Sequence, residues 1–230
     1  TEEETGLKGA AKLDPAYLEG DMLINIDCEK EGTIFSSCAG GIRGSHFVKA
    51  IWENPEKDHI PYLIDLKGLK GGHSGAEIDK GRGNANKLMG RFLSTLSNET
   101  EFQISKINGG SKPNTIPREA EATIYINPEH ENILISKIEE WNAIFQKELR
   151  TKDPDVILKT RKITEQDAKV LSKETTEKVI NLLVIVPDGV QSMSGDIEGL
   201  VESSTNLGVV TTSDTGISLE SATRSNISSQ

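Results

Sequence analysis

Hydrophobic periodicity changes four times between residues 62 and 160, and that order limits the chain to few folds. In PYLIDLK, Tyr62, Ile64 and Leu66 recur at period two, the spacing of one face of a strand. In NANKLMGRFLSTL, Ala85, Leu88, Met89, Phe92, Leu93 and Leu96 recur at three and four, the stripe of an amphipathic helix. FQISKI is a second strand. EAEATIYI is a third, with Ala120, Ala122, Ile124 and Ile126 on one face. Asn127-Pro128 opens a second helix marked by Leu134, Ile138, Trp141, Phe145 and Leu149; Asp153-Pro154 ends it, and DVILKT is a fourth strand. Strand, helix, strand, strand, helix, strand is the order of a split βαβ, ferredoxin-like sandwich. The class is α+β: an antiparallel sheet with helices on one face.

The flanks carry weaker signals. A third helix is expected from residue 165 to about 183, stopped by Pro187-Asp188-Gly189. STNLGVVTT and ISLESATR then read as paired strands around the turn SDTG, which holds Asp214 and Gly216. Upstream, MLINID (residues 22–27) reads as a buried strand ending in Asp27, and Gly40-Gly41 as a domain boundary or hinge. GLKGGHSG places Gly68, Gly71, Gly72 and Gly75 around His73, a loop that needs unusual backbone angles.

With 230 residues the chain can form one large domain or two small ones. The formal net charge of −10 repels phosphate backbones, which argues against a nucleic-acid partner. No apolar run approaches the ~20 residues of a membrane span; the longest, residues 179–186, is interrupted by Asn181. The opening residues lack a basic-then-apolar leader pattern. Two cysteines, Cys28 and Cys38, are too few for a disulfide framework and read as reduced thiols of a cytoplasmic protein, a single bridge between them being the alternative.

Each polar motif has a chemical and a structural reading. Glu3-Glu4 suits a pair in which one carboxylate binds a metal and the other takes a proton from metal-bound water; it equally suits a solvated acidic terminus. Asp27 stands where open sheets place a ligand for a divalent cation, or caps a turn. Glycines flanking His73 let its imidazole approach a ligand closely, whereas a lone histidine is otherwise a surface residue. Asn114 offers an amide to a substrate carbonyl or carboxylate, or serves turn chemistry. Arg224 offers a planar fork to a carboxylate, or makes a surface ion pair. His46, His59 and His130 are assigned no role.

Six stretches taken together, EETGLKGA, LINIDCEKEG, SSCAGGI, GLKGGHSGAEIDKGRGNANKLMGRFL, NGGSKPNTIPREAEATI and STNLGVVT, resemble bacterial aminoacyl-histidine dipeptidases in content and order. These enzymes (Xaa-His dipeptidases, peptidase D) are members of the di-zinc aminopeptidase and carboxypeptidase superfamily. The resemblance implies an α/β catalytic domain that binds two metal ions and an inserted lid domain that mediates dimerisation. Residues 1–41 would be part of the former and residues 42–230 the latter. It makes Glu3 the general base, Glu4 a ligand of one metal and Asp27 a ligand of the other. His73 becomes the lid histidine that reaches a neighbouring subunit's active site, and Asn114 and Arg224 lie near the substrate.

The family's H-x-D metal motif, its later metal-binding histidine and its bridging aspartate have no counterpart in these 230 residues. The resemblance therefore implies an internal fragment lacking the N- and C-terminal parts of the catalytic domain and the lid's last helix and strand. The parent would be a cytoplasmic, homodimeric dipeptidase hydrolysing Xaa-His dipeptides of the carnosine type. Two divalent ions, Zn²⁺ by resemblance, would polarise the scissile carbonyl while Glu3 moves the proton; the fragment alone would bind no metal tightly. Two other readings stand beside it: a non-catalytic lid and dimerisation module, and a small-ligand regulatory domain, which has no need of the GGHSG loop.

Overall fold

The computed structural model describes residues 8–26, 31–35, 37–164 and 169–230. The chain divides into two compact units, Thr1–Cys38 and Ala39–Gln230.

In the first unit the described residues form a four-residue helix, α1 (Lys8–Ala11), and a 3-10 turn at Pro15–Tyr17 capped by Asp14. They contain no strand. This corrects the reading of MLINID as a buried strand: Met22, Leu23, Ile24 and Ile26 are each at least 83% exposed. The physical reason is that a strand is stable only beside others, and the described part of this unit offers none. Asp27 and Cys28 lie outside the described residues; Cys38 is a free, exposed thiol.

The second unit holds the rest. In chain order it contains β1 (Gly40–Lys49), β2 (Trp52–Glu53), β3 (Ile60–Lys67), β4 (Gly72–His73), α2 (Ala85–Ser97), β5 (Phe102–Gly109), β6 (Thr115–Ile116) and β7 (Ala120–Ile126). There follow α3 (Glu131–Leu149), β8 (Ile157–Lys162), β9 (Val170–Leu171), α4 (Lys173–Ile185), β10 (Gly189–Met193), β11 (Val201–Ser213) and β12 (Gly216–Ser225). Four strands run β5-β7-β3-β8, all antiparallel, with α2 linking β3 to β5 and α3 linking β7 to β8. This is the split βαβ order expected from the periodicity. The register sets Tyr62 opposite Ile124, Ile64 opposite Ala122 and Leu66 opposite Ala120. The two period-two faces thus coincide and bury with Phe92, Leu93 and Leu96 of α2, Leu134 and Phe145 of α3, and Val179 and Leu183 of α4. Burying each large apolar side chain contributes about 1.5–3 kcal/mol relative to exposure.

Beyond β5 the sheet continues through β11 and β12 to β1 at the edge, with β10 along β11. The β11–β12 hairpin matches the expected pair of strands. Gly40-Gly41, read as a domain boundary or hinge, belong to β1, paired with Ser225 and Arg224, and stand just beyond the Cys38–Ala39 division of the two units. β1 is exposed along nearly all its length. Apart from Val48, which packs against the core, little of either face is covered, so its sequence shows no alternation from which a strand could be read. At the β5–β11 seam the backbone ladder is reduced to the pair Val210–Gly109. Side chains replace it: Thr212 Oγ1 accepts from Ile107 N at 2.8 Å and donates to Ile107 O at 2.7 Å, and Thr212 N donates to Asn108 Oδ1 at 2.9 Å.

Helix α4 begins later than periodicity implied. Residues 165–168 lie outside the described set, and Ser172 caps the helix by accepting from Thr175 N. Its other end is closed by Lys87, whose Nζ donates to Leu183 O, Val184 O and Val186 O at 2.6–2.8 Å. Among the described residues no helix is long and apolar enough to cross a membrane.

Candidate substrate-anchoring site

The segment between β3 and α2 is folded back rather than loose. Asp153, with no exposed surface, accepts from Lys70 N and Gly83 N at 2.7 Å each and so clasps both ends of the segment. Gly68, Gly71 and Gly72 take positive φ, as the glycine content implied. The short strand β4 pairs with β6, His73 opposite Thr115, and Ser74 N donates to Asn114 O at 2.9 Å. Beneath His73, Glu77 Oε2 accepts from His73 N at 3.0 Å, while Glu77 also pairs with Lys80 and Arg82. The hydrogen bond from Lys80 and that from the His73 amide hold the Glu77 carboxyl down to about 2. Glu77 is therefore a fixed anion that braces the turn.

The imidazole of His73 is exposed, and its Nδ1 accepts from Gly75 N at 3.3 Å. That contact leaves the proton of the neutral ring on Nε2, available as a donor.

Arg224 comes from β12, where its backbone lies between Gly41 of β1 and Ser204 of β11. Its guanidinium rests on Gly75: a β-carbon there would lie 2.9 Å from Arg224 Cζ and 3.0 Å from both Arg224 Nε and His73 Cε1. Gly75 does not have positive φ; what it supplies is space. Nε of Arg224 is buried without a hydrogen-bond partner, and so is Oγ of the neighbouring Ser74. No carboxylate pairs with Arg224 among the described residues. The exposed ion-pair reading of Arg224 thus gives way to a half-buried cation lacking a counter-anion.

Three residues 151 positions apart at the extremes, His73, Asn114 and Arg224, are thereby linked through Ser74 and Gly75: Asn114 by its backbone, the other two by their side chains. A guanidinium without an acid, an imidazole Nε2–H and the carboxamide of Asn114 suit a ligand rich in acceptors, such as a carboxylate or a developing oxyanion. The other three expected site residues, Glu3, Glu4 and Asp27, lie outside the described residues. Among the described residues no three His, Cys, Asp or Glu side chains stand close enough to hold a metal ion. A zinc site takes about four ligands, so the described residues do not by themselves fit one.

Sequence reasoning missed the polar layer beneath the site. Asn84 caps α2, accepting from Asn86 N and Lys87 N, and its Nδ2 donates to Asp188 Oδ1 at 2.7 Å and Leu207 O at 3.1 Å. Asn86 Nδ2 donates to Leu207 O at 3.1 Å. Asp188 also accepts from Leu207 N at 2.9 Å. Burial pushes the Asp188 carboxyl up to about 6, against the downward pull of these donors and of the Lys87 charge. Burial in turn lowers Lys87. The available signal was asparagine inside apolar runs, in NANKL and TNLGVV, where a side chain that cannot stay unpaired must find partners.

Residues 64–153, which include the His73 turn, match a family model described as a peptidase dimerisation domain. Over 227 residues, 99% of its length, the chain is 38% identical to the cytosol non-specific dipeptidase of Escherichia coli (strain K12) and covers 47% of that protein. It superposes on the crystal structure of aminoacylhistidine dipeptidase from Vibrio alginolyticus with a TM-score of 0.87 and 37% identity, covering 99% of this chain and 46% of that one. The resemblance to aminoacyl-histidine dipeptidases therefore holds in both sequence and fold, and the chain spans slightly under half the length of either relative.

Proposed function

We propose that these 230 residues are the lid, with a small part of the catalytic domain, of a cytoplasmic metal-dependent dipeptidase that hydrolyses Xaa-His dipeptides. Residues 42–230 form the lid and dimerisation domain in this reading, and residues 1–41 the catalytic part. The observation that carries it is the packing of His73 and Arg224 against Gly75, with Asn114 tied to the adjacent Ser74 and no counter-anion for Arg224 among the described residues. Arg224 and Asn114 grip the substrate's carboxylate and carbonyl. His73 Nε2–H, left as the ring's donor by the Gly75 contact, donates to the oxyanion formed as water attacks, and does so in the active site of the partner subunit. Glu3 takes and returns the proton; Glu4 and Asp27 are metal ligands whose companions come from outside this chain. By itself the chain is a binding and dimerisation module without catalysis.

The test is made in the full-length protein that carries this segment, assayed with alanyl-histidine. His73→Ala lowers turnover on the order of a hundred- to a thousandfold, equivalent to ~2.7–4 kcal/mol, with metal content unchanged. Arg224→Lys raises KM. Mixed dimers of His73→Ala and Glu3→Ala subunits, each inactive alone, recover up to half of the activity. Dead mixed dimers place His73 in its own subunit's site or in none, and a wild-type protein inert toward dipeptides ends the proposal.

A further inference from the structure

We propose that Asn206 is the positioning residue that sets His73 and Asn114 relative to Arg224, an inference that rests on the dipeptidase reading of the site. Asn206 is 1% exposed and stands on β11. A carboxamide nitrogen has two protons to give. Here both are committed: Nδ2 donates to Pro113 O at 2.7 Å and to Thr115 O at 2.9 Å, the carbonyls on either side of Asn114. Its Oδ1 faces Asn84 Nδ2 at 3.4 Å, which fixes the orientation of the amide.

One side chain therefore spans the whole Asn114 turn. From there the linkage reaches His73 through two backbone contacts. Thr115 is the β6 residue paired with His73, and Asn114 O accepts from Ser74 N. In the opposite direction, β11 pairs with β12, placing Asn206 opposite Ala222 and Ser204 opposite Arg224. Asn206 is thus the direct tie between the strand beside Arg224 and the turn that supports His73.

The backbone is shaped for this approach. β11 carries a bulge between Leu207 and Val209, and a β-carbon on Gly208 would lie 2.5 Å from Pro113 Cα. Only glycine lets the Asn114 turn sit down on the strand at that point. Asparagine meets the two carbonyls with donors. Aspartate of the same shape would present lone pairs to both, unless a proton restored one donor. Asn206 touches no substrate in this scheme; it acts through Asn114 and His73.

The experiment compares Asn206→Asp with Thr212→Val in the full-length protein. Thr212→Val removes a polar tie at the β5–β11 seam, remote from the turn, and supplies a variant destabilised without a change at the site. Asn206→Asp is expected to raise KM and lower kcat/KM for alanyl-histidine on the order of tenfold to a hundredfold at pH 8. The loss relative to wild type shrinks as pH falls and the introduced carboxyl gains a proton. Thr212→Val keeps the wild-type KM and pH profile at a comparable loss of Tm. In parallel, NMR follows the Ser74 amide and the His73 ring titration, which Asn206→Asp shifts and Thr212→Val does not. A wild-type KM in Asn206→Asp, or unmoved Ser74 and His73 signals, overturns the assignment. If instead those signals move but neither His73→Ala nor Arg224→Lys affects hydrolysis, the roles of His73 and Arg224 at the site fail, and with them a positioning role for Asn206 in catalysis; a wild-type protein inert toward dipeptides ends the dipeptidase reading itself.

Discussion

Arg224 lies so close to Gly75 that a β-carbon on the glycine would come within 2.9 Å of the guanidinium carbon, although the two residues are far apart in sequence. His73 Cε1 meets the same position from the other side at 3.0 Å. Gly75→Ala therefore wedges the two functional side chains apart. Backbone strain is not involved, since φ at Gly75 is not positive, and the stability change stays within about 1 kcal/mol. The expected outcome is a fall in kcat/KM of about tenfold or more in the full-length protein, with Tm nearly constant. Wild-type kinetics would show that the Arg224–His73 spacing is irrelevant.

Asp153 gives a test on stability. Asp153→Ala leaves the amides of Lys70 and Gly83 without their acceptor, and the loss is expected to be about 2–4 kcal/mol in urea unfolding. Asp153→Asn retains one acceptor oxygen and loses less. Amide exchange should rise at Ser74, Ala76 and Glu77, which the clasp encloses, before it rises in β7. Equal protection of the loop in wild type and variant would remove Asp153 from this role.

Asp188 sets a pH dependence of definite sign. Its folded pKa stands at about 6 against an ordinary 3.8, because burial disfavours the charge. Between those values the native protein holds a proton that the unfolded chain has released. Stability from this group is thus full below about pH 4 and declines as pH rises through about 6, by on the order of 3 kcal/mol in total. Urea midpoints at pH 4, 5, 6 and 7 should fall more steeply in wild type than in Asp188→Asn. Identical slopes would mean that the carboxylate is solvated as an ordinary surface acid.

Apolar residues 22–26 are exposed and outside any strand, whereas residues 122–126 lie in the middle of the sheet. In the isolated chain, amides of Leu23, Ile24 and Ile26 should exchange at near-intrinsic rates, and those of Ala122, Ile124 and Ile126 only through global unfolding. In the full-length dipeptidase proposed above, the first set should become protected by the rest of the catalytic sheet. Exchange of Leu23 to match Ile124 in the isolated chain would contradict the exposure described here.

What the sequence alone determined is local or periodic. Tyr62, Ile64 and Leu66 alternate because one face of β3 is buried, and Leu88, Phe92 and Leu96 repeat because one stripe of α2 is buried. Either pattern can be read without knowing what does the burying. The glycines around His73 announced a constrained turn for the same reason, since φ is a property of one residue. MLINID misled because its apolar character calls for neighbours, and no local pattern says whether they are present. β1 was silent because little of either face is covered. Tertiary structure alone decided that Arg224, behind the whole sheet in sequence, comes to rest on Gly75, and that Asn206 would hold the Asn114 turn. Those contacts depend on the β11–β12 hairpin being laid beside β5 and on a bulge at Gly208, and cross-strand distance leaves no period along the chain.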